Sequence, residues 1–183
     1  MDLGTWQSLA GGVVITAIIL FVYMTFVYGR LTGKFGDKDN IKRRALFAFL
    51  VVVGFSLQGI IYASNKNMKS TEIKKEYSEL HPFLKLAVST IVLIDDELIV
   101  TSGSRVSEDY EKMGLTKRGQ SLHYKQEDGY SYALDLRTND RSNIRNQALA
   151  VYFGAMGFRV LRHVGTADHL HVSMKCKFHP GAK

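Results

Sequence analysis

Residues 9–28, LAGGVVITAIILFVYMTFVY, contain no charged side chain. An uncharged apolar run of about 20 residues matches the length that crosses the hydrocarbon core of a bilayer as a helix. Trp6 at one end and Tyr23 and Tyr28 near the other suit the aromatic belts of a membrane interface. A secretory signal peptide would need a basic leading region, and only Asp2 precedes the apolar run. A second uncharged run, 45–63 (ALFAFLVVVGFSLQGIIYA), follows after a short connection. Ser56 and Gln58 make it the more polar of the two, and a buried core helix is its alternative reading. The connection holds six of the 24 basic residues (Arg30, Lys34, Lys38, Lys42, Arg43, Arg44) against Asp37 and Asp39. Dense Lys and Arg in a short loop beside apolar spans marks the cytoplasmic side. The expectation is a two-helix transmembrane hairpin over 1–63, with spans at about 9–28 and 45–63. Its basic loop 29–44 faces the cytoplasm, both ends of the chain lie outside, and the lipid bilayer is a partner.

The rest of the chain has another character. From Ser64 onward 18 basic residues face 14 acidic ones, a mild excess with no basic stripe interleaved with aromatics, so nucleic-acid binding is not expected. Cys176 is the only cysteine, which excludes an intrachain disulfide and a cysteine-rich metal site. Residues 64–80 are mostly polar and read as a partly helical tether. From 81 the pattern becomes apolar at helical spacing through Ile94, and Asp95-Asp96 makes a turn. A β-branched strand then runs through Leu98-Ile99-Val100-Thr101 to Ser102-Gly103. A polar loop is expected from Arg105 to Gln120, and a strand at 132–136. Ser142 reads as the N-cap of a helix whose apolar face includes Ile144, Ala148, Val151, Tyr152 and Ala155, with Gly157 as its C′ glycine. Two more strands are expected at 158–161 and 169–174. Mixed elements on short connections suggest a small α+β domain over 81–183.

Within that domain the chemistry-bearing residues fall in a definite order. Val100-Thr101-Ser102-Gly103-Ser104-Arg105 comes first, then Ser121-Leu122-His123, Ala133-Leu134-Asp135, and Asp168-His169-Leu170-His171. Two histidines and a carboxylate can hold one metal ion and leave a fourth position open, as catalytic rather than structural zinc sites do. His169 and His171, two apart on an expected strand, can share a face.

Taken together, Ser-x-His, Gly, Ala-x-Asp and Asp-x-x-His, preceded by Thr-Ser-Gly-x-Arg, resemble the VanY/VanX-type and phage-endolysin zinc D,D- and L,D-peptidases, which cut the short peptides of peptidoglycan. The resemblance covers roughly 81–174 and implies a small zinc-peptidase domain with an antiparallel sheet and helices. It implies Zn2+ held by His123, Asp135 and His171. It gives Asp168 the part of general base, Arg105 that of binding or polarising substrate, and Ser121 a substrate contact; His169 is a supporting or oxyanion-facing residue. Peptidoglycan is the implied partner, and the location a bacterial inner membrane or a phage virion membrane, with the domain on the periplasmic or outer side. The chain departs from the family where Lys125-Gln126-Glu127-Asp128 extend the stretch between His123 and Asp135, which leaves Asp128 as a substitute ligand. A membrane-anchored peptidoglycan-binding module without catalysis and a holin-like structural membrane protein are the alternative readings.

Overall fold

A computed structural model describes residues 4–35, 38–106, 109, 111, 114, 121–165 and 168–175. Most of the expected 105–120 loop lies outside the described residues, as do Asp2, Asp37 and Cys176. The chain divides into two compact units, Met1–Ile60 and Ile61–Lys183.

The first unit holds two helices long and apolar enough to cross a membrane. Helix α1, Thr5–Tyr23, continues through a π-helical turn at Met24–Tyr28 and a last helical turn at Gly29–Leu31. Helix α2 is Lys38–Ile61. Apolar side chains such as Ile15, Ile19, Leu46 and Leu50 stand exposed; a helix apolar all round belongs in a membrane or in the core of a larger assembly. The helices are longer than the uncharged runs: residues 5–8 and 38–44 are helical too, and α2 stops at Ile61. The short connection allows a hairpin. At its end Arg44 is buried, with Nη2 donating to Lys34 O at 2.9 Å. Its guanidinium lies over Gly29, where a Cβ would come within 2.6 Å of Nη1.

The second unit is α+β. Its elements are α3 (Thr71–Ser78), α4 (Pro82–Val92), β1 (Val100–Ser102), β2 (Ala133–Arg137), α5 (Asn143–Ala155), β3 (Arg159–His163) and β4 (His169–Ser173). The four strands form one sheet in the order β1-β2-β4-β3, every pair antiparallel. Alternation along the strands gives the sheet two chemistries. Leu134, Leu136, Val160, Leu170 and Val172 face a core shared with Leu84, Val88, Leu149 and Phe153 of the helices. Asp135, His163, His169 and His171 take the opposite parity.

Local chemistry sets the helix ends. Ser70 and Ser142 cap α3 and α5 by accepting from Ile73 N and Arg145 N. His81 caps α4 through a nitrogen that accepts from Phe83 N, with Pro82 just inside. Gly157 follows α5 at φ +92°, the left-handed conformation that glycine adopts without cost.

Two expectations are corrected here. The stretch 64–80 is no tether. It carries α3, it buries Met68, Tyr77 and Leu80, and Asn67 Nδ2 donates to the carbonyls of Asp96 and Leu98. Helix α5 also turns a different face inward: Asn146, Leu149 and Phe153 are buried, while Ile144 and Val151 stand 79% and 70% exposed.

Candidate metal centre

Strand pairing builds the centre. Asp135 on β2 stands directly opposite His171 on β4, so the central pair of strands presents a carboxylate and an imidazole to each other. His123 arrives from the segment before β2. That segment is fixed to the sheet by Tyr132 N donating to Leu122 O at 2.7 Å and Arg105 N donating to His123 O at 2.8 Å. One ligand atom each from His123, Asp135 and His171 lies within 4.8 Å of the others. His171 Nδ1 is 2.9 Å from Asp135 Oδ1. His123 Nε2 is 3.3 Å from His171 Nδ1 and 3.4 Å from Asp135 Oδ1.

The surroundings orient these groups. His123 Nδ1 meets the Gly103 carbonyl at 2.7 Å. A carbonyl can only accept, so Nδ1 carries the proton and the Nε2 lone pair points into the cluster. Asp135 is 5% exposed. Burial alone would push its carboxyl up, but the hydrogen bond with His171 and the Arg105 charge act against this, and the carboxyl lies far below the usual range. Arg105 takes part directly: Nη2 donates to Asp135 Oδ2 at 2.6 Å and Nε to Ser102 Oγ at 2.6 Å. Asp135 thus gives one oxygen to an arginine and keeps the other toward the histidines. Two imidazoles and one carboxylate converge, His123 and Asp135 buried and His171 partly exposed, and form a donor set that could hold a metal ion.

The extra residues after His123 leave this arrangement intact. Gln126 N donates to Tyr130 O and Gly129 N to Gln126 O, closing a tight turn with Gly129 at φ +83°. Asp128 is occupied inside that turn by Tyr130 N and the Tyr132 hydroxyl. Asp135, not Asp128, stands with the two histidines. Ser121 shapes the approach to His123, its Oγ accepting from His123 N at 3.2 Å.

Asp168 has a different setting. Arg162 grips both its oxygens, Nη2 at 3.0 Å and Nε at 3.3 Å, and Thr138 Oγ1 donates to it as well. These bonds, that from Arg162 foremost, lower its carboxyl below the ordinary value. Asp168 also has the parity of the core-facing Leu170 and Val172, not that of His169 and His171. His169 does stand beside the cluster, its Nε2 3.9 Å from Asp135 Oδ1. Its ring stacks on His163 with centroids 4.7 Å apart and an interplanar angle of 23°. His163 was not foreseen; the only signal for it is its pairing across β3 and β4 with His169. The Gly103 carbonyl was likewise missed as a partner, although Gly103 belongs to the Thr-Ser-Gly-x-Arg motif.

Comparison with protein-family models, with curated proteins and with solved structures yields no match to this chain.

Proposed function

We propose that this chain is a membrane-anchored zinc peptidase that hydrolyses amide bonds in the stem peptides or crossbridges of peptidoglycan. The observation that carries the reading is the convergence of His123 Nε2, Asp135 Oδ1 and His171 Nδ1, with residues of the resembling motifs in the expected order. The donor chemistry fits zinc: neutral imidazole nitrogens and one carboxylate oxygen. Zinc bound there would act as a Lewis acid on the scissile carbonyl and make an attacking water more acidic. The chain's own residues supply the rest. Ligation uses neutral imidazole nitrogens, and the Gly103 carbonyl, by accepting the hydrogen bond from Nδ1–H, selects the His123 tautomer with Nε2 free. Arg105, already 2.6 Å from Asp135, favours the ionised form of that carboxylate, and the resemblance gives it the part of binding or polarising substrate. The resemblance assigns proton transfer to Asp168.

The test is digestion of purified peptidoglycan by the full chain in detergent, with products weighed by mass spectrometry. The expected result is release of peptide fragments that stops on adding a strong chelator and resumes on adding zinc. Peptidoglycan left intact by zinc-loaded, folded protein would overturn the enzymatic reading. One observation favours a second reading: the grip of Arg162 on Asp168 makes that carboxylate a poor base. A domain that binds peptidoglycan without cutting it would sediment with the polymer and release nothing.

A further inference from the structure

We infer that Glu76, on α3, is a positioning residue for the candidate metal centre, acting on His123 through the Gly103 backbone. The inference rests on the reading of His123, Asp135 and His171 as ligands, and it reaches a residue outside every motif quoted above. Gly103 is held from both sides. Its N–H donates to Glu76 Oε2 at 2.7 Å, and its carbonyl accepts from His123 Nδ1 at 2.7 Å. A short unbroken path therefore runs from the carboxylate, through the backbone of one residue, to the imidazole.

Packing makes this path stiff. A Cβ on Gly103 would sit 3.0 Å from the backbone carbon of Glu76 and 3.2 Å from its Cβ. Only glycine lets the loop lie so close to the helix. The helix is itself anchored by its Ser70 cap and by buried Tyr77, whose hydroxyl donates to Lys85 O at 3.1 Å. Glu76 is half-buried. Burial, the largest influence, raises its carboxyl, against the pull of the Gly103 N–H and the Arg105 charge. With the Gly103 carbonyl fixed, His123 is confined to the tautomer whose Nε2 lone pair faces Asp135 and His171. Without Glu76 the backbone at Gly103 can shift and turn its carbonyl away, and the ring can rotate or exchange tautomers. Partners one bond beyond the ligands commonly govern metal affinity by about 10- to 100-fold.

The experiment uses the full chain in detergent micelles. Zinc affinity is measured by competition with a chromophoric chelator, and the metal-free His123 tautomer is read from long-range proton–nitrogen NMR spectra. Glu76→Ala should weaken zinc binding by about 10- to 100-fold and mix the His123 tautomers, with circular dichroism unchanged. Glu76→Gln keeps an oxygen that accepts from Gly103 N–H and should restore most of both. Wild-type affinity and a single His123 tautomer in folded Glu76→Ala would overturn the inference. Equal losses in the Gln and Ala variants would do the same. If Glu76→Ala does not fold, Glu76→Asp, too short to reach Gly103, takes its place. If wild-type protein binds no zinc, the ligand reading fails, and the tautomer spectra still decide whether Glu76 positions His123.

Discussion

Asp168 and His169 are neighbours in the chain with opposite duties in the fold. Asp168 is locked to Arg162 and Thr138; His169 shares the face of Asp135 and His171. A base held at a low pKa stays ionised at neutral pH but takes up a proton poorly. If Asp168 nevertheless performs proton transfer, Asp168→Asn should lower peptidase turnover by at least about 10²-fold with zinc content unchanged. If the duty belongs to His169, His169→Gln should show that loss, and Asp168→Asn should mainly cost stability through the orphaned Arg162. Parallel assays of turnover, zinc content and melting temperature separate the two outcomes. The grouping of His123, Asp135 and His171, three residues that could hold a metal ion, follows the order of the resembling motifs, and the pairing of β2 with β4 brings two of them face to face. The setting of Asp168 was not legible in the sequence, because Arg162 reaches it only through the β3–β4 pairing.

At the scale of elements, helix α4 begins on a buried histidine. Burial pushes the His81 pKa down to about 4, with Lys85 acting in the same direction and Asp128 against it. In the unfolded chain the ring returns to about 6.5. Between those values the unfolded state binds more protons, so stability rises with pH across the window and is lost as pH falls from about 6.5 to about 4. The full shift corresponds to roughly 3 kcal/mol. His81→Asn keeps a capping acceptor without titrating, so urea unfolding of this variant should show a flatter profile between those limits. Helix α5 supplies a second check. Phe153→Ala should cost about 3–5 kcal/mol, whereas Val151→Ala, on the exposed side, should stay within about 0.5 kcal/mol; thermal melts of the two variants measure the contrast. The buried side of α5 could not be chosen from sequence, because apolar residues surround this helix and only packing selects Leu149 and Phe153. The 64–80 stretch misled for the converse reason. Side-chain hydrogen bonds from Asn67 and a few anchors, Met68, Tyr77 and Leu80, hold it, and none of these produces an apolar period.

For the whole molecule, the capacity of two helices to cross a membrane and the sidedness are separate matters. Helices α1 and α2 have the length and composition to span a bilayer; a second unit outside the cytoplasm is an expectation that rests on the basic loop alone. An alkaline phosphatase fused after Lys183 should be active in a bacterial host, and one inserted near Asp39 should not. The reverse pattern would invert the orientation and remove peptidoglycan from reach. The two long apolar helices were readable because length and composition need no tertiary contacts, whereas the sheet order β1-β2-β4-β3 depends on contacts distant in sequence. The facing of Asp135 and His171 across β2 and β4 has one more consequence. Sliding either strand by a single residue would put Leu170 or Val172 where His171 stands and turn the imidazole toward the core. A bound ion would therefore act as a proofreader of strand alignment. It would lend its binding free energy to one register alone, and slipped conformers in a refolding mixture could be counted as the fraction that fails to take up metal.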